Sequence, residues 1–196
     1  TSCGGGGCSG NNICGNCTSL TCCSSNTAAC GPTTTYTCTD NNTIWCNTSC
    51  FPGTTLVSMA DGSQKSIAEV EDGDAVKSFN EATLEIEDSF VSTVIVEEHD
   101  NLFEVHLSNG KVIEPTGNHP IYVKDKGWST VEGYDERGGQ RMTLEIGDTL
   151  FAATADSDYS LEDVQIVDIV KIDGSNETYN LIDVDHGTFL ADDIVV

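Results

Sequence analysis

The chain has 196 residues, with 32 acidic side chains against 8 Lys and Arg and a formal net charge of -24. That balance excludes a nucleic-acid surface, which needs clustered Lys and Arg to neutralise phosphates, and disfavours an anionic membrane surface. No apolar run approaches the ~20 residues that span a bilayer, and no leader is expected ahead of the Gly- and Cys-rich segment that opens at Thr1.

In chain order, the cysteines come first. All 10 Cys lie within residues 1–50, where Asp40 is the one charged side chain, while the other 31 acidic groups and all 8 basic ones fall in 51–196. This step in composition predicts two units, a Cys-rich module over 1–49 and a second domain over 50–196. The module is too short and too poor in aliphatic residues to fold on burial alone, so covalent staples are expected. An even Cys count favours disulfides. Zinc is the rival, since Cys14 and Cys17 are spaced like half of a ribbon site, but adjacent Cys22 and Cys23 suit tetrahedral thiolate ligation poorly. No metal or cofactor is expected. Disulfides and the sequons at Asn16, Asn41 and Asn47 point to a secreted or extracellular protein.

The order Cys8, Cys17, Cys22, Cys23, Cys30, Cys38, Cys46, Cys50, with Ser24 and Gly31, resembles the hevein-type chitin-binding framework. The resemblance implies the pairs Cys8–Cys23, Cys17–Cys30, Cys22–Cys38 and Cys46–Cys50, leaving Cys3 and Cys14 for each other. The first three pairs suit a small cystine knot equally well. Chitin binding itself is not expected, because residues 25–29 lack the aromatic face that sugars stack on and Tyr36 is the nearest candidate.

The second unit reads as all-β. Alternating or β-branched runs occupy 54–59, 75–79, 90–96, 102–107, 111–113, 121–123, 164–172 and 194–196, and only 66–70 looks helical, for about one turn. Asn109-Gly110 between two runs predicts a type I′ hairpin. Asp61-Gly62, Gly73-Asp74 and Asp173-Gly174 punctuate the rest. Residues 69–76 echo 144–150: an apolar stretch leads into Gly-Asp, a small residue and an aliphatic one. Two related halves would leave such an echo. The run 156–163 has some calcium-loop character, but it lacks Gly at the sixth position and has Val167 where the bidentate Glu belongs.

Cys50-Phe51-Pro52-Gly53-Thr54-Thr55-Leu56-Val57 opens this unit, followed by Asp61-Gly62, Ile67-Ala68-Glu69-Val70 and Gly73-Asp74. Then come Thr116-Gly117-Asn118-His119-Pro120, Gly127-Trp128, residues 144–150, Tyr179-Asn180-Leu181 and His186-Gly187-Thr188-Phe189. In this order the series resembles the Hint domain of Hedgehog autoprocessing domains, inteins and bacterial intein-like domains, over essentially all of 50–196, with the intein-like branch nearest. The resemblance implies a horseshoe of long curved antiparallel strands with pseudo-two-fold symmetry.

It also implies a reaction carried out in cis on the N-terminal segment. Cleaving a peptide needs a nucleophile held against the carbonyl and a donor for the leaving nitrogen. The Cys50 thiol is expected to attack the Ser49 carbonyl and move the acyl group from nitrogen to sulfur. Thr116 and His119 match the family's Thr-x-x-His block and are expected to hold and polarise the Ser49–Cys50 peptide, with His119 protonating the amine. His186 matches the late-block histidine that assists at the C-terminal junction, and Asn180 stands where many inteins carry an Asp. The chain stops at Val196, about where the His-Asn pair of inteins would follow, so splicing is not expected. Water, a thiol or an external amine could resolve the thioester. A Cys46–Cys50 disulfide would block the thiolate, so the reaction is expected to be redox-gated. The competing expectation is a secreted disulfide-rich binding or structural protein with an inactive Hint-like domain. A papain-like Cys/His protease is disfavoured by the nearly all-β pattern.

Overall fold

The computed structural model describes residues 49–135, 140–154, 159–182 and 185–196, and the backbone alone of Thr35–Thr37 and Thr43–Trp45. The cysteines before Cys50, the pairings implied for them, the three sequons and residues 156–158 of the 156–163 run therefore lie outside the described residues. Strands β1 (Thr35–Thr37) and β2 (Thr43–Trp45) pair antiparallel in one compact unit. Ser49–Asp135 with Gly139–Val196 forms the other.

The second unit is a succession of short strands. Its first half holds β3 (Phe51–Pro52), β4 (Leu56–Ser58), β5 (Gln64–Ser66), a 3-10 turn (Ile67–Glu69), β6 (Ala75–Asn80), β7 (Glu85–Phe90), β8 (Thr93–His99), β9 (Phe103–Leu107) and β10 (Val112–Ile113). The second half holds β11 (Ile121–Val123), β12 (Gly127–Thr130), β13 (Met142–Thr143), β14 (Thr149–Ala153), β15 (Leu161–Lys171), β16 (Asn176–Ile182), β17 (Leu190–Ala191) and β18 (Ile194–Val195). No α-helix occurs among the described residues. The largest sheet runs β10-β9-β15-β14-β18-β17-β4-β5, with β11, β12 and β13 attached through β14. β3-β16-β8 and β6-β7 form two smaller sheets.

The expected strands fall where the alternation places them, with two differences. The run 90–96 is divided. Phe90 ends β7 opposite Ala75, Val91 bonds to Asp74, and Thr93 begins β8 opposite Ile182. The chain there leaves one partner strand for another, so one apolar run serves two sheets.

The second difference is the turn at Asn109-Gly110. A type I′ turn needs positive φ at both residues, yet only Gly110 has it, at 85°. Leu107 N–H donates to Lys111 at 2.9 Å and Gly110 N–H to Leu107 at 2.9 Å. The hairpin is therefore a three-residue loop, 108–110, in which a tight turn is closed by one left-handed Gly. The loop at 60–62 repeats the plan, with Met59 N–H on Ser63 and Gly62 at φ 86°. A Cβ on Gly110 would meet nothing within 4 Å, so Gly110→Ala tests backbone strain alone. Urea unfolding should show a loss of about 1 kcal/mol.

The Gly-Asp echo is structural. In the first copy Asp74 N–H donates to Glu71 at 3.1 Å, Glu71 N–H to Asp74 Oδ2 at 2.9 Å, and Gly73 N–H to Val91 at 2.7 Å. In the second, Asp148 N–H donates to Glu145 at 3.1 Å, Glu145 N–H to Asp148 Oδ2 at 2.9 Å, and Gly147 N–H to Ile166 at 2.8 Å. Lys65 reaches Asp74 at 2.6 Å and Lys126 reaches Asp148 at 2.8 Å. Each copy launches a strand, β6 or β14, that pairs antiparallel with the strand after it. The same turn used twice is what a duplicated half leaves behind.

Phe51, Val57, Ile67, Val105, Ile121, Leu150 and Ile194 are fully buried in one contiguous core. Phe51 lies at the start of the unit and Ile194 near its end. Both ends are thus drawn to the middle by burial of their apolar side chains.

Candidate functional site

The segment Thr116–His119 explains why a Thr-x-x-His spacing brings two side chains together. His119 N–H donates to the Thr116 carbonyl at 2.9 Å, closing a four-residue turn whose first and last positions are these two residues. Pro120 follows, and a residue before proline is disfavoured in helical backbone, so the turn is not continued. Residues Thr116, Asn118 and His119 are all buried.

The turn meets the chain at Cys50. Cys50 N–H donates to Thr116 Oγ1 at 2.9 Å, and Thr116 N–H donates back to the Cys50 carbonyl at 2.9 Å. The Ser49 backbone hydrogen-bonds the His119 ring and raises its pKa. Only an acceptor favours the charged ring, so this contact is the Ser49 carbonyl. The Ser49–Cys50 peptide is thus held at both polar atoms: its N–H by Thr116 and its C=O by His119. Cys50 is fully buried and Ser49 nearly so.

Apolar groups surround the imidazole. The Phe51 ring lies 4.4 Å from it, centroid to centroid, and the Phe189 ring 6.3 Å. This desolvation outweighs the Ser49 contact and pushes the His119 pKa down to about 3. At neutral pH the ring is neutral, with one nitrogen as donor and the other as acceptor. Nδ1 is buried without a hydrogen-bond partner, which natural cores avoid.

The depressed pKa links stability to pH. Above pH 6.5 the ring is neutral in both folded and unfolded chains. Below it the unfolded chain takes up a proton that the buried ring refuses, down to about pH 3. The group therefore removes up to ~1.4 kcal/mol of stability per pH unit on acidification through that window. Urea unfolding of the wild type and a His119→Gln variant at pH 7, 5 and 4 isolates this slope, which should shrink in the variant.

Other expected residues fall differently. Register places Asn180 opposite Cys50, since Tyr179 pairs with Phe51 and Thr178 with Pro52. The Asn180 side chain turns back onto its own strand, accepting from Leu181 N–H at 2.8 Å. His186 is exposed and bonds Glu87 at 3.1 Å, on the β6–β7 hairpin rather than with Thr116 or His119. Its neighbour Thr188 is buried and bonds Ser78 and both backbone groups of Phe79. The late block is pinned there, and Phe189 turns inward onto Phe51 at 6.0 Å. Phe189 and Val196 exchange backbone hydrogen bonds of 3.0 and 3.1 Å. Residues following Cys50 and residues leading to Val196 therefore share one aromatic cluster. No spacing or motif in the sequence marks Phe51 and Phe189 as the walls around His119. Cys46, and with it the implied Cys46–Cys50 pair, lies outside the described residues.

Among the described residues no group of three His, Cys, Asp or Glu side chains could hold a metal ion. No helix there is long and apolar enough to cross a membrane.

A family model described as the Hint module matches residues 39–195. A DnaB intein from Synechocystis sp. PCC 6803 is similar at 25% identity and a TM-score of 0.63, covering 76% of this chain and 97% of the intein. A bacterial intein-like domain from Clostridium thermocellum is similar at 26% identity and a TM-score of 0.58, covering 75% and 96% respectively. An Ssp DnaB mini-intein variant shares the fold at 22% identity, with a TM-score of 0.64 and coverage of 76% and 93%. No curated protein matches the chain.

Proposed function

The chain belongs to the Hint family, whose members process their own polypeptide by autoproteolysis or splicing, and on that premise we propose that it activates the Ser49–Cys50 peptide by an N-to-S acyl shift. The observation that carries the reading is the grip on that one peptide, its N–H on Thr116 Oγ1 and its carbonyl against His119.

Cys50 Sγ attacks the carbonyl carbon of Ser49 through a five-membered ring. The C–S bond forms, the C–N bond breaks, and the thiol proton ends on the departing amine of Cys50. The His119 contact stabilises the oxyanion that develops on the Ser49 oxygen, where a donor held in a water-poor site is worth most. A neutral imidazole can also accept the thiol proton and return it to nitrogen. Thr116 fixes the amide so that little motion is needed before attack. The product is a thioester, which water, a thiol or an amine then resolves. His186, in this reading, is assigned to events at the C-terminal side of the domain and not to the thioester step.

Oxidation gates the reaction: a Cys46–Cys50 disulfide withholds the thiolate, and reduction returns it. The test is intact-mass spectrometry of the full chain with and without thiol reductant. A break between Ser49 and Cys50 only after reduction supports both statements. Equal cleavage without reductant overturns the gate, and no cleavage under either condition overturns the acyl shift and favours a silent Hint domain.

A further inference from the structure

The turn that carries Thr116 and His119 is strapped down at Gly117. Gly117 N–H donates to the Asn101 carbonyl at 2.8 Å, and the Gly117 carbonyl accepts from Glu132 N–H at 2.8 Å. The Glu132 side chain then crosses directly over the Gly117 Cα. A Cβ at that position would stand 2.5 Å from Glu132 Cδ, 2.6 Å from Cγ and 2.7 Å from Oε2. Gly117 does not have a positive φ, so the backbone conformation is open to any residue. It is the carboxylate overhead that leaves room only for hydrogen.

The carboxylate is itself tethered. Asn101 Nδ2 donates to Oε2 at 3.2 Å and the Tyr134 hydroxyl donates to the same oxygen at 2.9 Å. Asn101 precedes β9, whereas Glu132 and Tyr134 follow β12. Two distant segments thus clamp one glycine between the two groups that hold the reacting peptide. Glycine is the most pliant residue in a chain, so an unclamped Gly117 would let Thr116 and His119 drift apart.

Resting on the acyl-shift reading, we propose that Glu132 is a positioning residue for the reaction: with Asn101 and Tyr134 it presses the Thr116–His119 turn onto the Ser49–Cys50 peptide. It touches neither the peptide nor the imidazole and acts through Gly117. Displacing a reacting group by ~1 Å can cost 10²-fold in rate. Glu132→Ala should therefore slow Ser49–Cys50 cleavage by about 10- to 100-fold. Glu132→Gln keeps the length and an oxygen to accept from Tyr134, so it should stay within a few-fold of wild type. Tyr134→Phe, which removes one tether at a half-exposed ring, should fall between them.

Two readouts test this. The first is the rate of Ser49–Cys50 cleavage in reduced protein for the wild type and the three variants. The second is the His119 ring nitrogen spectrum of the same Glu132 and Tyr134 exchanges in a Cys50→Ala background, where no cleavage occurs. The expected result is slow cleavage and shifted His119 signals in E132A, with both restored in E132Q. Unchanged rates and signals in E132A, or an E132Q as impaired as E132A, would overturn the clamp. Should even the wild type fail to cleave, the acyl-shift reading falls, while the His119 spectra still decide whether Glu132 orders the turn. If E132A does not fold, Y134F and E132Q carry the test: wild-type His119 signals in Y134F would overturn the tether.

Discussion

A Cys50→Ala chain is expected to remain whole under every condition that cleaves the wild type, including reductant and hydroxylamine. The loss should be complete because no other group can replace the sulfur. The proposed attack runs through a five-membered ring that only the side chain of residue 50 can close on the Ser49 carbonyl. Ser49 Oγ precedes that carbonyl and could close only a strained four-membered ring on it. Cys50 is fully buried, and Ala removes one sulfur from a packed site. That change costs stability but not the fold, at ~1–3 kcal/mol for a small-group deletion. Circular dichroism and the intact mass of the variant check the two halves of the expectation together.

His119→Ala should give the next largest effect, a slowing of about 10²- to 10⁴-fold, equivalent to roughly 3–5 kcal/mol of barrier. Two contributions vanish at once: the hydrogen bond to the Ser49 carbonyl, and the nitrogen proposed to relay a proton between thiol and amine. Because burial holds the ring's pKa at about 3, the wild-type rate should show no inflection near pH 6.5, where an exposed His titrates. The rate should instead rise with ionisation of the thiol, whose ordinary pKa is ~8.5. A pH–rate profile of single-turnover cleavage checks both points. A step near pH 6.5 would mean that the ring opens to water before it reacts.

The sequence discloses the site unevenly, and the reasons are physical. Thr116 and His119 are legible because a spacing of three is the first and last position of a tight turn, a local fact. The Gly-Asp echo is legible for the same reason: each copy closes its turn with its own Asp, 71 to 74 and 145 to 148. Glu132 is not legible, since its contact with Gly117 exists only after β12 has brought it back over the turn. The aromatic walls are equally hidden. Phe51 and Phe189 sit at opposite ends of the domain's sequence, and only the folded domain places both beside His119. The turn at Asn109-Gly110 misleads because the same pair suits a two-residue loop and the last two residues of a longer one. The bond that Leu107 N–H donates to the Lys111 carbonyl, set by strand register, decides between them. His186 shows the limit of motif matching. The block it belongs to is anchored by Thr188 and Phe189, while the imidazole itself points to Glu87 at the surface.

Burial draws both ends of the domain to its centre, the centre desolvates an imidazole, and the turn bearing it holds a single peptide bond by both polar atoms. The claim that matters most is that Cys50 takes the acyl group of Ser49 onto sulfur. Hydroxylamine added at neutral pH to the reduced full chain tests it directly, because under those conditions it captures thioesters and leaves peptide amides, Asn109-Gly110 included, intact. The account predicts a fragment ending at Ser49 that carries a C-terminal hydroxamate, with the complementary fragment beginning at Cys50. A chain that stays intact, or a fragment ending at Ser49 as a plain acid in wild type and Cys50→Ala alike, would contradict it.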